Sequence, residues 1–255
     1  MRRDAQAVLL LLVGGTLLKI SIAGTYVRYV KPGQLWLLLA AGAVLLTVAG
    51  VTLWDSIRGT ANRGGAHTAY AVEAAAEADG LKPAPSHDHG QPWVAWLLLV
   101  PALALLIFSP PALGSFQASR NGTVLGSRAS SEYAPLPAGD PVSVTLRDYA
   151  SRAVFDQGRS LAGRRLQLTG FIIAGPSGQP YLARMIVSCC AADARPVKVG
   201  LAGDVPANLQ ADEWVEVVGT FTDKTDRDPV NGETIPYVQL ASVRGVPAPN
   251  EPYET

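Results

Sequence analysis

Long apolar runs near the start of the chain are the strongest constraint on its fold. Residues 35–53 carry no charged side chain, and residues 5–27 are interrupted only by Lys19. An α-helix rises about 1.5 Å per residue, so about 20 apolar residues cross a hydrocarbon core of roughly 30 Å. A third run at 93–113 opens with tryptophan and contains prolines, which membrane helices tolerate. The sequence therefore predicts an anchor region of residues 1–114 with three transmembrane helices in the lipid bilayer.

The orientation of this anchor follows from its basic residues. Lys and Arg near the membrane ends favour an amino terminus on the inside. Three crossings then place the carboxy-terminal part of the chain outside the cytoplasm. The Met1-Arg2-Arg3 start also suits a signal peptide, but the first run is long and a second span follows closely. A multi-pass membrane protein is the prediction.

The hydrophilic loop at 55–91 contains the three histidines of the chain. His87 and His89 flank Asp88, and two imidazoles with a carboxylate suit a borderline metal ion. The alternative is a flexible polar linker, since the loop is rich in Ala, Gly and Pro. Both interpretations stay open at the level of sequence.

The remainder of the chain alternates between strand patterns and turn residues. Residues 115–140 are predicted to be a linker, and 141–255 a soluble domain that begins with a helix at 146–155. Five strands are then predicted by alternation and by turn signals, at 164–174, 181–189, 197–201, 213–221 and 235–246. Such a pattern predicts an all-β, OB-like five-stranded barrel with one leading helix, with a small open β-sandwich as the alternative.

Charge argues against one class of partner. Lys and Arg number 21, Asp and Glu also number 21, and the formal net charge is +0. Nucleic-acid binding usually needs a clustered basic surface. We therefore expect no nucleic-acid partner.

The densest chemical signal is the pair Cys189-Cys190 followed by Asp193, at the end of the predicted second strand. These three side chains could converge on zinc or another thiophilic divalent metal, although they supply too few ligands to close a tetrahedral site. The alternative is that one cysteine packs in the core and the other is a surface thiol. The soluble domain has no histidine to act as a base, so we expect no catalytic residues and no enzymatic activity.

The sequence CCAADA at 189–194, with Arg184 upstream, resembles the signature of the YcgQ-like family of bacterial membrane proteins, described as permease subunits. Residues 23–32 and 213–220 resemble further parts of that family. The resemblance implies location in the bacterial cell membrane and a separate multi-span permease as partner. The expected function is an accessory, non-enzymatic permease subunit whose outer β domain binds substrate or metal. The alternative is a membrane-tethered thiol protein that uses Cys189 and Cys190 for metal delivery or redox chemistry.

Overall fold

The computed structural model describes residues 3–62, 100, 103–104, 107–108, 110–125, 133–175 and 178–255. The chain divides into two compact units. The first comprises residues 1–25 and 35–110, and the second comprises residues 26–34 and 111–255. The short segment between the first two helices therefore belongs to the same unit as the carboxy-terminal domain.

The described part of the first unit is a pair of antiparallel helices, α1 (Arg3–Ile22) and α2 (Leu35–Asn62). The helices approach closely at glycines. A Cβ atom added to Gly42 would lie 2.9 Å from Leu18 Cδ2, and one added to Gly14 would lie 3.1 Å from Leu45 Cβ. Small residues at such a crossing let the two helix backbones pack closely. Close packing drives helix association in a bilayer, where the hydrophobic effect does not favour it.

Only one helix in the described residues is long and apolar enough to cross a membrane. It covers Pro32–Arg58 and has a mean hydropathy of 2.2. Only 11% of its most apolar stretch is buried. The apolar part of α1, Gln6–Ile22, reaches about 25 Å at 1.5 Å per residue, which is shorter than the hydrocarbon core. The predicted third span at 93–113 falls largely outside the described residues. The structure thus supports one anchoring helix and not the three that the sequence predicted.

The second unit is built on a closed barrel of five strands, which confirms the predicted barrel. The strands are β2 (Leu166–Ala174), β3 (Pro180–Ile186), β4 (Arg195–Ala202), β5 (Trp214–Arg227) and β6 (Thr234–Gly245). Antiparallel pairing joins β2 to β3, β3 to β4, β5 to β6 and β2 to β5, and parallel pairing of β4 with β6 closes the ring. Two short strands, β1 (Val142–Ser143) and β7 (Tyr253–Glu254), add to β2 and β3 in parallel.

Gly170 lies where the alternation of β2 changes phase, a position that favours a bulge or a sharp bend. The pairing of β2 with β5 runs from Leu166 to Phe171 without a register shift. A Cβ atom at Gly170 would lie 2.6 Å from the carbonyl oxygen of Ala183 on β3. Glycine is therefore needed at this position because β3 passes unusually close. Gly170 lies just before the point where β2 stops pairing with β5 and begins to pair with β3.

The predicted leading helix is α4 (Leu146–Phe155), and it packs on the barrel core. The Thr145 side chain accepts a hydrogen bond from the Asp148 amide at 3.1 Å, which caps the first turn. Leu146, Tyr149 and Ala150 are fully buried on one helix face. The Tyr149 hydroxyl donates to the carbonyl of Tyr237, so the helix is also fixed to β6 by a hydrogen bond.

Part of the segment predicted as a linker packs against the barrel. It contains a short helix, α3 (Ser115–Arg120), whose Ala118 is fully buried. Beyond it, the Thr123 amide donates to Asp228 at 2.7 Å, and the Thr123 hydroxyl accepts from the Lys198 amide at 3.0 Å. Lys198 and Asp228 form a buried ion pair at 2.8 Å beside these contacts. This part of the predicted linker is therefore held onto the barrel by a buried polar cluster.

Candidate metal centre

The candidate site lies in the loop between β3 and β4. The sequence predicted that the second strand would reach Cys189, but β3 ends at Ile186, and a 3-10 turn over Ala191–Asp193 leads into β4. The Asp193 carboxylate shapes this loop by accepting from the amides of Ser188 and Cys189, at 2.9 and 2.8 Å. Hydrogen bonding to the Cys189 side chain and to these amides holds the pKa of Asp193 below its ordinary value.

The two thiols meet in this loop. In a regular strand, adjacent side chains point to opposite faces. Because the strand has ended, the Cys189 and Cys190 Sγ atoms lie 3.6 Å apart. One ligand atom from each cysteine and one from Asp193 lie within 4.8 Å of one another. Cys189 is exposed and Cys190 is half-buried, so a ligand can reach the cluster from solvent.

The separation of the thiols fits a metal ion. Two thiolates on a tetrahedral zinc, with Zn–S bonds of about 2.3 Å, lie about 3.8 Å apart. The observed distance between the Sγ atoms, 3.6 Å, is close to that value. Asp193 accepts hydrogen bonds from two amides and from the Cys189 thiol, so deprotonation of that thiol would free an oxygen lone pair for a metal ion. These residues would fill three positions of a tetrahedral site and leave the fourth open.

The same environment is poorly suited to nucleophilic catalysis. Hydrogen bonding to the Asp193 carboxylate, together with the neighbouring Cys190 thiol, raises the pKa of Cys189 to about 11. A reactive cysteine instead needs a lowered pKa, because the thiolate is the nucleophile. His87 and His89, which were also predicted as metal ligands, lie outside the described residues.

A second feature of the site was not anticipated from the sequence. The segment Tyr26–Gln34, which joins α1 to α2, lies against the cysteine loop. The Lys31 amide donates to the Cys189 carbonyl at 3.1 Å, and the Ala191 amide donates to the Tyr29 carbonyl at 2.7 Å. These contacts flank an antiparallel bridge between Val30 and Cys190. They are made by backbone groups, so residue type left little signal for them in the sequence.

The carboxy-terminal end of the chain adds to the same contact. The Tyr253 hydroxyl donates to the Arg28 carbonyl at 2.9 Å and accepts from the Leu113 amide at 3.0 Å. One side chain therefore ties the first interhelical segment to the end of the anchor region. The cysteine loop itself lies against the first of these segments, which adjoins the two predicted membrane spans.

One family model matches the carboxy-terminal part of the chain. Residues 135–254 match the family model of the DUF1980 C-terminal domain. This match covers α4, the whole barrel and the cysteine loop. No curated protein and no solved structure matches the chain significantly.

Proposed function

We propose that this protein, whose barrel matches the family model of the DUF1980 C-terminal domain, is a membrane-anchored accessory subunit of a permease complex, without enzymatic activity. In this proposal the barrel binds zinc or another thiophilic divalent ion through Cys189, Cys190 and Asp193. The observation that carries the proposal is the 3.6 Å separation of the two Sγ atoms, with an Asp193 oxygen within 4.8 Å of both.

The open coordination position supports transport rather than structural binding. Structural zinc sites are closed by four protein ligands. A site with three ligands keeps one position for water or for a donor on another protein. Such a site can pass its ion to a partner that supplies the next ligand. A multi-span permease is the proposed partner, on the strength of the resemblance to the YcgQ-like family.

The contact of the barrel with residues 26–34 supports a multi-pass topology. That segment directly connects α1 and α2, so the barrel must lie on the same side of the membrane as this connection. If both helices cross the bilayer with the amino terminus inside, the connection and the barrel are both outside. The chain must then cross again between Asn62 and Pro111, which agrees with a third span at 93–113.

The arrangement of the barrel supports an OB-like classification. Its five strands are joined so that the third and fifth, β4 and β6, pair in parallel while the other neighbours are antiparallel. This is a Greek-key order, as in the five-stranded OB barrel. Many OB barrels bind nucleic acids, but fold alone does not determine function, and the balanced charge of this chain does not favour such a ligand.

Zinc titration tests the proposed site. The full chain, reduced and purified in mild detergent, is titrated with zinc by calorimetry beside the Cys189→Ser, Cys190→Ser and Asp193→Asn variants. We expect each cysteine variant to bind more than about tenfold more weakly, because changes that merely misorient a ligand already cost 10–100-fold. The matched control is Asp204→Asn, which removes an exposed acid from another loop. Equal affinities for wild type and both cysteine variants would contradict the metal site.

The proposed partner needs a separate test. Tagged full-length protein is isolated from its native membrane in mild detergent, and co-purifying proteins are identified by mass spectrometry. A multi-span permease that is recovered with the wild-type chain, and lost when the interhelical segment is scrambled, would support the accessory role. Recovery of the chain alone under conditions that preserve known membrane complexes would contradict it.

A second candidate function is dithiol redox chemistry, which the proximity of the two Sγ atoms also favours. In that reaction the thiols of Cys189 and Cys190 would lose two electrons and two protons to an external disulfide, which would be reduced to two thiols. The ring formed by adjacent cysteines is strained. Mass spectrometry after equilibration with oxidised glutathione distinguishes the two functions, because only the redox function predicts a loss of two hydrogens from the pair.

A further inference from the structure

Arg184 on β3 is a buried cation with unused hydrogen-bonding capacity. The residue is only 9% exposed. One guanidinium nitrogen donates to the Glu251 carbonyl at 2.8 Å, and the guanidinium carbon lies 4.8 Å from the centre of the Trp214 ring. The buried Nε atom has no hydrogen-bond partner among the described residues. A buried donor that is left unpaired destabilises the fold, and more so when it is charged.

No described carboxylate forms an ion pair with Arg184. Glu254 acts on Arg184 electrostatically, but its oxygens are engaged elsewhere. Its two oxygens accept from the amides of Leu146 and Arg147, at 2.9 and 3.0 Å, at the start of α4. The positive end of the helix dipole partly offsets this carboxylate. Burial lowers the pKa of Arg184, as expected for a cation without a full counter-charge.

Arg184 also lines a pocket of about 400 Å³. Pockets of about 300–1,000 Å³ are the usual size for small-molecule sites. Ser143, Thr145 and Thr169 line the same space, together with the apolar Val144 and a second arginine, Arg147. The pocket therefore combines a buried cation, neutral hydrogen-bonding groups and some apolar surface.

We propose that this pocket binds a small organic monocarboxylate, whose carboxylate group pairs with the Arg184 guanidinium. Arginine suits such a ligand because its planar fork can bind both carboxylate oxygens. Glu251 and Glu254 also line the pocket, where their charges balance those of Arg147 and Arg184. This balance disfavours ligands with several negative charges. The ligand is therefore expected to carry one negative charge on a short apolar body.

Equilibrium dialysis of radiolabelled propionate against the purified full chain in detergent tests the proposal, with a detergent blank. We expect saturable binding by wild type at one site per chain, and a loss of affinity of about tenfold or more in Arg184→Met, as for loss of a charge-assisted pair. Arg184→Lys keeps the charge but loses the planar guanidinium that binds both carboxylate oxygens. We expect its affinity for propionate to lie between those of wild type and Arg184→Met. Inorganic phosphate should compete poorly with propionate at neutral pH.

Two controls keep the result interpretable. Arg244→Gln removes an arginine that is largely exposed and paired with Glu216, so its affinity for propionate should equal that of wild type. Thr169→Val tests the pocket without touching Arg184, and it should weaken binding if the hydroxyl contacts the ligand. No saturable binding by wild type, or equal binding by wild type and Arg184→Met, would overturn the proposal. Phosphate that binds more tightly than propionate would overturn the choice of ligand class.

Discussion

Replacing Lys198 by methionine should destabilise the barrel strongly. The Lys198 ammonium lies 2.8 Å from Asp228 Oδ2, and the two side chains are 4% and 0% exposed. Methionine keeps the apolar stem but leaves the carboxylate buried without its cation. Removal of one partner from a buried pair costs about 3–5 kcal/mol. The amides of Thr123 and Val230 still donate to Asp228. We therefore expect the free energy of unfolding to fall by about 3 kcal/mol, the lower end of that range.

Urea unfolding of a fragment of residues 111–255 measures this loss. Trp214 is the sole tryptophan in that part of the sequence, so its fluorescence reports on the barrel. The Lys198→Met/Asp228→Asn double variant removes both charges and should recover at least about 1 kcal/mol, since contacting residues couple by 0.5–3 kcal/mol. The matched control is Arg195→Met at an exposed arginine of β4, for which a change within about 0.5 kcal/mol is expected.

The pH dependence provides an independent check on the same pair. Burial by itself would raise the pKa of Asp228, but hydrogen bonds from Lys198, Val230 and Thr123 outweigh it and hold the pKa below its ordinary value. The wild-type pair therefore stabilises the fold above about pH 4, and this stabilisation is lost as the pH falls through the folded-state pKa. Without Lys198 the pKa of Asp228 rises. The difference in free energy of unfolding between wild type and Lys198→Met should therefore shrink as the pH falls. A difference in free energy of unfolding below about 1 kcal/mol at neutral pH, or a difference independent of pH, would refute the reasoning.

Three further predictions concern the connector, the helix pair and the topology. A fragment of residues 139–255 should unfold at least about 2 kcal/mol more easily in urea than 111–255, because it lacks the buried connector contacts; equal stabilities would contradict this. Gly42→Leu should disrupt the packing of α1 on α2, lowering the thermal stability of the full chain in detergent, whereas Gly50→Leu, at an open position of α2, should not. A reporter fused after Thr255 should read as extracytoplasmic and one inserted near Arg63 as cytoplasmic, and a cytoplasmic signal from the Thr255 fusion would exclude the proposed topology.

The elements of the soluble domain were largely predictable because their signals are local. The alternation of β5 and the helical spacing of residues 146–155 place apolar side chains on one face, whatever the rest of the chain does. Five such strands favour a small closed barrel, and the pairing of β4 with β6 closes it. The end of the second strand was placed too late, at Cys189, because the Asp193 hydrogen bonds that turn the loop are not visible in the alternation.

The candidate site was predictable in its residues but not in its geometry. Cys189, Cys190 and Asp193 stand out in the sequence because thiols and carboxylates bind metals. Their convergence depends on the end of β3, and the 3.6 Å separation of the thiols follows from that backbone turn. Arg184 was noticed only as part of a motif, since burial and an unpaired Nε are properties of the folded chain.

By itself, the sequence determined the apolar anchor, the strand-rich domain and the types of donor atom at the site. Each of these depends on composition or on a period of 2 or 3.6 residues along the chain. Only the tertiary structure decided which distant segments meet: Lys31 with Cys189, Thr123 with Asp228, and Glu254 with the start of α4. Most of these contacts join backbone groups or single side chains more than 100 residues apart. No local pattern encodes such partners, because they are selected by the closure of the barrel and by the need to pair every buried polar group.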